Sequence, residues 1–152
     1  MKARKGGFTL VELLIVIMII AILAGMMLLA TGSATDNAEA TKVINDLRGA
    51  KSASLLYYAD HNQWPVGTGG GTVTTSLERY MDRSFDAAKY GTLSVTAEVG
   101  DRQLIGFTAL GGPAGSQGVR NKLAAKARES GLTNATGGAY VAADTAIYTN
   151  MK

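Results

Sequence analysis

The sequence contains no cysteine and a single histidine, His61, and these two shortages exclude several classes of protein. Without cysteine the chain can form no disulfide, no iron–sulfur cluster and no thiolate zinc site. With one histidine it cannot build a metal site from several imidazoles. No nucleophile–base–acid set and no paired carboxylates accompany His61 in the sequence. We therefore predict no catalytic residue, no metal ligand and no cofactor, and a protein that is not an enzyme.

The excess of positive charge in this sequence is confined to the first few positions. The 152 residues include 15 Lys and Arg against 12 Asp and Glu, a net charge of +3. Three of these basic residues, Lys2, Arg4 and Lys5, lie within residues 1–7, which contain no acidic residue. The rest of the chain therefore has 15 minus 3, or 12, basic residues against 12 acidic ones. A nucleic-acid partner, which a basic surface would favour, is therefore not expected. The length fits about one domain, since domains run ~100–200 residues.

A long hydrophobic run follows the basic residues. Glu12 is the one charged residue between Gly6 and Thr35, and residues 13–30 read LLIVIMIIAILAGMMLLA. About 20 apolar helical residues span the ~30 Å hydrocarbon layer of a membrane. Because positive charges precede the run, we expect the N-terminus to be cytoplasmic and the rest of the chain to lie outside. We predict one transmembrane helix over residues 8–30.

Two other interpretations of this segment are open. Gly32, Ser33 and Ala34 are small residues that would suit signal-peptide cleavage after Ala34. The run is longer than the 7–15 residues of a signal-peptide h-region, however, and Glu12 lies near its start. A charged side chain in lipid costs about 2.5–3.5 kcal/mol on insertion scales, so Glu12 requires a compensating interaction. The second alternative is a generic membrane anchor that carries a stray acid.

The octapeptide KGGFTLVE at residues 5–12, followed at once by the apolar helix, resembles the class III signal of type IV pilins and of type II secretion pseudopilins. This resemblance implies that a prepilin peptidase cuts between Gly7 and Phe8 and methylates the new amine of Phe8. It implies that Glu12 acts in filament assembly and that Thr9 is an ancillary hydroxyl. The implied partners are further copies of the chain, the prepilin peptidase, membrane lipids before assembly, and the pilus or secretion machinery.

The spacing of Phe8 and Glu12 is compatible with this role. The two residues are four positions apart, which is one helical turn, so a new α-amine and the carboxylate would lie at a similar membrane depth. An incoming subunit whose Phe8 amine reached the Glu12 of a neighbour would neutralise both charges and fix the axial register. Ala21 and Gly25 form a small-xxx-small pair, which would let such helices approach closely.

Helical periodicity continues beyond Ser33. Pro65 disfavours helix at Trp64, and no proline interrupts residues 8–64. We predict that one helix continues as an amphipathic segment over residues 31–64 and reaches about Asp60, on the order of 80 Å in all at 1.5 Å per residue. Its predicted apolar stripe is Val43, Ile44, Leu47, Ala50, Ser54, Leu55 and Tyr58.

Residues 65–152 have the pattern of a small head with an antiparallel sheet. Strict alternation over residues 92–99 predicts a half-buried strand, Gly100 and Asp101 predict a hairpin turn, and residues 103–110 predict the returning strand. Residues 138–151 are predicted to close the sheet. We also predict a short helix or turn at 76–90, a flexible turn at 111–118, and a helix at 119–130 that Gly131 ends. The basic residues of that last helix are expected to form a solvated face: Arg120, Lys122, Lys126 and Arg128.

The predicted fold class is thus α+β, a long N-terminal α-helix packed on a small antiparallel sheet head. The expected segments are a leader at 1–7, a filament-core helix at 8–30, its amphipathic continuation at 31–64 and the head at 65–152. By the resemblance, the function is a structural subunit of a type IV pilus-like filament, with a pseudopilin of type II secretion as the alternative. Major pilins often carry a C-terminal cysteine pair, which this chain cannot form because it has no cysteine. Major pseudopilins usually carry an acidic calcium-binding loop near the C-terminus, where this chain has Asp144 alone. A membrane-tethered enzyme or ligand-binding module has no supporting residue set.

Overall fold

The computed structural model describes residues 7–65, 75–81, 87–99 and 102–151. Its first element is helix α1, Leu10–His61, which continues for 52 residues. Asn62 adopts a left-handed conformation with φ of 52°, and its backbone N–H donates to the carbonyl of Tyr58 at 2.7 Å. A left-handed residue directly after the last turn is a common way for a helix to end. The prediction of one helix that reaches about Asp60 is confirmed.

The chain divides into two compact units, residues 1–35 and residues 36–152. In the described part of the first unit, the large apolar side chains of α1 are exposed on every side, from 48% for Val16 to 80% for Leu10. Among the described helices, α1 is the one long and apolar enough to cross a membrane, and none of that apolar segment is buried within the structure. A helix that is apolar all round is suited to lipid or to the interior of a helix bundle.

The second unit contains a four-stranded antiparallel sheet. Its strands are β1, Leu93–Val99, β2, Arg102–Phe107, β3, Leu132–Thr133, and β4, Ile147–Asn150. The strand order is β1-β2-β4-β3, and each neighbouring pair is antiparallel. The predicted sheet is therefore confirmed, while the predicted turn at Gly100 and Asp101 lies outside the described residues.

The sheet differs from the sequence prediction at three points. β2 ends at Phe107 and does not reach Leu110, whose N–H donates to the carbonyl of Thr145 at 2.9 Å. Only the last part of residues 138–151 is a strand, because the chain first forms a loop that places Tyr140 in the core. β3 was not predicted, since two residues are too few to show an alternating pattern.

One face of α1 and the sheet share a single hydrophobic core. Within residues 36–61 the buried apolar residues recur at helical spacing, beginning at Ala40. The core cluster includes, from other elements, Leu77, Leu93, Val95, Ile105, Phe107, Val119, Leu123, Ala127, Tyr140 and Ile147. Tyr90 and Phe107 also pack ring against ring with centroids 5.5 Å apart. All members of this cluster lie between residues 40 and 151.

The buried stripe of α1 departs from the predicted one in its last turns. Leu55 is 43% exposed and Tyr58 is 38% exposed, so their assignment to the buried face was wrong. Ser54 is buried as predicted, whereas the burial of Ala53 and the packing of Tyr57 against the core were not predicted. Large apolar residues on both sides of these turns make the sequence ambiguous about which side is buried.

The connection before the second long helix is more ordered than the predicted flexible turn at 111–118. It contains a 3₁₀ helix, Gly112–Gly115, followed by helix α2, Gln117–Ser130. The Ser116 side chain caps α2 by accepting the N–H of Val119 at 3.4 Å, and Gly131 ends it with a left-handed φ of 65°. Before the sheet there are helical turns at residues 75–78 and at Ala87–Tyr90, while Phe85 of the predicted helix lies outside the described residues.

Candidate functional site

The candidate site is the start of α1, where Thr9 and Glu12 bind each other. The backbone N–H and the Oγ1 hydroxyl of Thr9 each donate to Oε2 of Glu12 at 2.8 Å. In return, the backbone N–H of Glu12 donates to Oγ1 of Thr9 at 3.2 Å. This reciprocal arrangement is a capping box, which satisfies N–H groups that have no partner inside the helix. Glu12 therefore has a structural role at the helix N-terminus of the single chain.

This capping role was not predicted, although the sequence carries its signal. Thr9 and Glu12 are three residues apart at the start of an apolar helix, which is the spacing of a capping box. The prediction made Thr9 an ancillary hydroxyl and considered Glu12 only as a partner for a neighbouring amine. The two roles draw on the same carboxylate, and only one of its oxygens, Oε2, accepts the bonds from Thr9.

Gly7 and Phe8 lie just before the helix and are accessible. Residues 7–9 have no regular secondary structure, and α1 begins at Leu10. Phe8 is 90% exposed, and no other part of the described chain lies within 4 Å of the position that a Cβ on Gly7 would occupy. Exposed non-helical backbone is the form in which a peptide bond is most readily cleaved. The bond between Gly7 and Phe8 thus joins two exposed, non-helical residues.

His61 lies at the opposite end of α1 in a cluster of aromatic residues. Its ring stacks on Tyr57 with centroids 4.2 Å apart, and its Nδ1 lies 3.1 Å from the Tyr57 carbonyl oxygen. The Tyr80 hydroxyl donates to Oδ2 of Asp60 at 2.7 Å, and this hydrogen bond to the carboxylate raises the pKa of Tyr80. No group of three or more metal-binding side chains occurs among the residues that the structure describes. The described contacts of this cluster pack the end of the helix.

Two of the four basic residues of α2 hold the head together. The Arg120 guanidinium donates through Nη2 to the carbonyl oxygen of Asp144 at 2.7 Å, and the Lys126 ammonium donates to Oγ1 of Thr41 at 3.1 Å. The expectation of a solvated basic face was wrong for Arg120, whose Nε is buried, whereas the hydrogen bond of Lys126 is exposed to solvent. Arg120 thereby fixes the loop that contains Tyr140, whose pKa is raised mainly by burial.

Comparison with known proteins bears on the start of α1. Residues 2–28 match the family model described as the prokaryotic N-terminal methylation motif. The start of the chain is thus similar to proteins that carry this motif. Its N-terminal methylation motif covers both the exposed Gly7–Phe8 bond and the capping box of Thr9 and Glu12.

Similarity to individual known proteins is concentrated in part of the chain. A fimbrial protein of Neisseria meningitidis serogroup B is 41% identical over 78 residues, which are 51% of this chain and 46% of the relative. The type II secretion system core protein G of Aeromonas hydrophila is 32% identical over 65 residues, 43% of this chain and 46% of the relative. The chain thus spans about half the length of these curated relatives.

The pilin fold extends beyond the region of sequence similarity. The structure of the major type IV pilin PilA1 from Clostridium difficile matches with a TM-score of 0.56 at 23% identity. The match covers 78% of this chain and 98% of that one. The long helix and the small antiparallel sheet are therefore the fold of a type IV pilin.

Proposed function

We propose that this chain is a structural subunit of a type IV pilus-like filament. In this proposal the precursor is held in the cytoplasmic membrane by α1, with its N-terminus inside. A prepilin peptidase cleaves between Gly7 and Phe8 and methylates the amine of Phe8. The subunit then leaves the lipid and polymerises through packing of its N-terminal helix. The assembled filament is extracellular, and no catalysis by the chain is involved.

The observation that carries the proposal is the single carboxylate at the start of an apolar, exposed helix. Glu12 lies four residues after Phe8, and the described side chains that follow it up to Leu28 are uncharged. In a bundle of such helices the charge would require a partner of opposite sign, and the Phe8 amine of an adjacent subunit supplies one. The pairing sets the axial position of each new subunit.

The test is to separate the charge of Glu12 from its capping role. Glu12→Gln keeps an amide oxygen that can accept the bonds from Thr9 but removes the negative charge, whereas Glu12→Ala removes both. We expect both variants to be inserted and cleaved, with N-methyl-Phe8 as the first residue by mass spectrometry. We expect neither to form filaments, as judged by electron microscopy of sheared cell surfaces.

Two results would contradict this proposal. Normal filaments from Glu12→Gln would show that the charge is not used in assembly and would leave the capping role alone. A mature N-terminus at Met1, or at Thr35 after conventional signal cleavage, would refute the leader assignment.

Glu78→Gln, which removes a carboxylate exposed in the head, is the control and should leave filament formation unchanged.

A pseudopilin of a type II secretion system is the second candidate function. It is supported by the similarity over 65 residues to the core protein G of Aeromonas hydrophila. In that case the filament would be periplasmic, and the same processing and the same helix packing would apply. Deletion of the gene separates the two functions, because loss of surface filaments with normal protein export supports the pilus and the reverse supports the pseudopilus.

A further inference from the structure

The loop between β3 and β4 begins with Asn134, Ala135 and Thr136, which the proposed function does not use. Asn-x-Ser/Thr, with x other than proline, is the acceptor sequence of N-linked glycosylation. The other five asparagines of the chain have no Ser or Thr two positions later. Because so short a pattern also arises by chance, the local structure decides whether Asn134 is suited to this modification.

The side-chain oxygen of Asn134 is bound by three donors. Oδ1 accepts the Thr136 N–H at 3.2 Å, the Thr136 hydroxyl at 2.8 Å and the Gly138 N–H at 2.9 Å. Two of these donors are backbone N–H groups, which cannot accept, so the atom that faces them must be the oxygen of the amide. Nδ2 is therefore the atom left for a reaction, and it donates to no acceptor among the residues that the structure describes.

The loop around Asn134 is ordered and exposed. The Asn134 N–H donates to the Gly138 carbonyl at 2.8 Å, and the Gly137 N–H donates to the Asn134 carbonyl at 3.0 Å. Asn134 is half-buried, while Ala135, Thr136 and Gly138 are exposed. Apart from its chain neighbours, no part of the described chain lies within 4 Å of the position that a Cβ on Gly137 would occupy. The acceptor sequence thus lies on a hydrogen-bonded backbone with open space beside it.

We propose that Nδ2 of Asn134 is glycosylated by a membrane oligosaccharyltransferase whose donor is an oligosaccharide on an isoprenoid diphosphate. In this reaction Nδ2 forms a bond to the anomeric carbon of the first sugar, and the bond from that carbon to the diphosphate oxygen breaks. The lipid diphosphate leaves with the electron pair, and one proton of Nδ2 passes to a base of the transferase. The inference rests on the part of the proposed function that places the head outside the cytoplasmic membrane.

The hydrogen bonds of the loop serve this reaction by preorganisation. The bonds from Thr136 and Gly138 to Oδ1 fix the rotation of the amide, so the transferase meets Nδ2 in one orientation. A group held in one orientation reaches a reactive geometry at a lower entropic cost. A purely structural role of Asn134 would use Oδ1 alone, so the two roles differ in what they require of position 135.

The first test is the mass of the peptide that contains Asn134, measured on the full chain purified from the cells that naturally make it. We expect this peptide to carry the added mass of an oligosaccharide, which fragment-ion spectra should place on Asn134. In the same cells, Asn134→Gln should lose the added mass completely, whereas Thr136→Ser, which keeps the hydroxyl, should retain it. Asn121→Gln is the matched control, because Asn121 is exposed on α2 and is not part of an acceptor sequence. It should also retain the added mass.

The second test separates glycosylation from the structural role of the amide. Ala135 is the second residue of the turn that the Gly137 N–H closes on the Asn134 carbonyl, a position at which proline is favoured. The N–H of Ala135 donates none of the hydrogen bonds described for this loop, so Ala135→Pro leaves them in place. Proline between Asn and Thr does, however, destroy the acceptor sequence. We expect Ala135→Pro to fold, as judged by circular dichroism, and to lose the added mass completely.

The N-terminal peptide of the same samples separates this inference from the proposed function. N-methyl-Phe8 together with an unmodified Asn134 would overturn the inference and leave the filament function standing. Added mass on Thr136, or on Asn134 of a folded Ala135→Pro chain, would also overturn the inference. Met1 as the first residue together with a glycan on Asn134 would support the inference and contradict the proposed processing. Met1 together with an unmodified Asn134 would contradict both.

Discussion

Glu12 has one partner in the single chain and a second in the proposed filament, and both would bind the same carboxylate. In the single chain, Oε2 of Glu12 accepts both hydrogen bonds from Thr9. In the proposed filament, the carboxylate also faces the methylated amine of a neighbouring Phe8. The capping bonds hold the side chain near the start of α1, at the level where the incoming amine would arrive. In the proposed filament, the cap would therefore position the carboxylate for the amine in addition to stabilising the helix.

At the same scale, the hydrogen bond from Tyr80 to Asp60 leads to a prediction about pH. The bond requires the neutral phenol, so the pKa of Tyr80 is raised above its ordinary value in the folded head. A raised folded pKa means that the bond stabilises the head fully below the unfolded pKa of ~10 and that this contribution is lost as the pH rises through the folded pKa. We expect Asp60→Asn to lower the pKa of Tyr80, as measured by NMR titration of the labelled tyrosine ring carbons.

Glu78→Gln is the matched control for this titration. It removes a negative charge from the helical turn next to Tyr80 but leaves the hydrogen bond to Asp60 in place. The pKa of Tyr80 should remain raised in this variant. An equal fall of the pKa in both variants would mean that the general charge of the region, and not the hydrogen bond, is the cause.

At the scale of the elements, the sheet depends on a close approach of the β2 and β4 backbones at Gly106. Gly106 on β2 pairs with Tyr148 on β4. A Cβ at position 106 would overlap the carbonyl oxygen of Ile147 and would lie 2.6 Å from the Cα of Tyr148. These are backbone atoms inside the sheet, so they cannot move without disturbing the pairing of β2 with β4. Gly106 therefore allows the central strand pair to form at its observed spacing.

We expect Gly106→Ala to destabilise the head by about 3 kcal/mol, because overpacked sites cost up to this amount. The free energy of unfolding from urea titration measures the effect. Gly49→Ala is the comparison, since position 49 is exposed on α1 with no atom within 4 Å of its Cβ position. That change should stabilise the helix by up to about 1 kcal/mol. Similar stabilities for the two variants would show that the approach at Gly106 is not tight.

The sequence correctly predicted the elements whose apolar residues recur at a regular helix or strand spacing. The predictions were wrong where packing against other elements determines which residues are buried. α1, the pairing of β1 with β2 and the Gly131 stop of α2 follow from apolar spacing and glycine chemistry. The exposure of Leu55 was not predictable, because apolar residues lie on both sides of α1 there and only the sheet selects the buried side. The 3₁₀ helix at Gly112–Gly115 has the sequence of a flexible glycine-rich turn, and the burial of Ala114 in the core could not be predicted from that sequence. At the candidate site the residues were found by their motif, but the mutual bonding of Thr9 and Glu12 was not considered.

At the scale of the whole molecule, the core belongs entirely to the second unit. Its members lie between residues 40 and 151, and the described apolar side chains of the first unit are exposed. We therefore expect a fragment of residues 36–152 to fold without the preceding segment. Circular dichroism should show both helix and strand, and NMR spectra should show well-dispersed amide signals. A fragment whose NMR amide signals are poorly dispersed would show that the head needs residues 1–35 in order to fold.

The loop between β3 and β4 is closed without a covalent link, and this has a consequence for where the protein can work. Arg120 holds the Asp144 carbonyl at 2.7 Å, and the buried Tyr140 ties the middle of the loop to the core. Since the 152 residues include no thiol, folding of the head requires no oxidant and no disulfide isomerase. The same structure forms in reducing and oxidising surroundings. A filament built from this subunit would keep its loops closed in reductants that open disulfide-stapled ones.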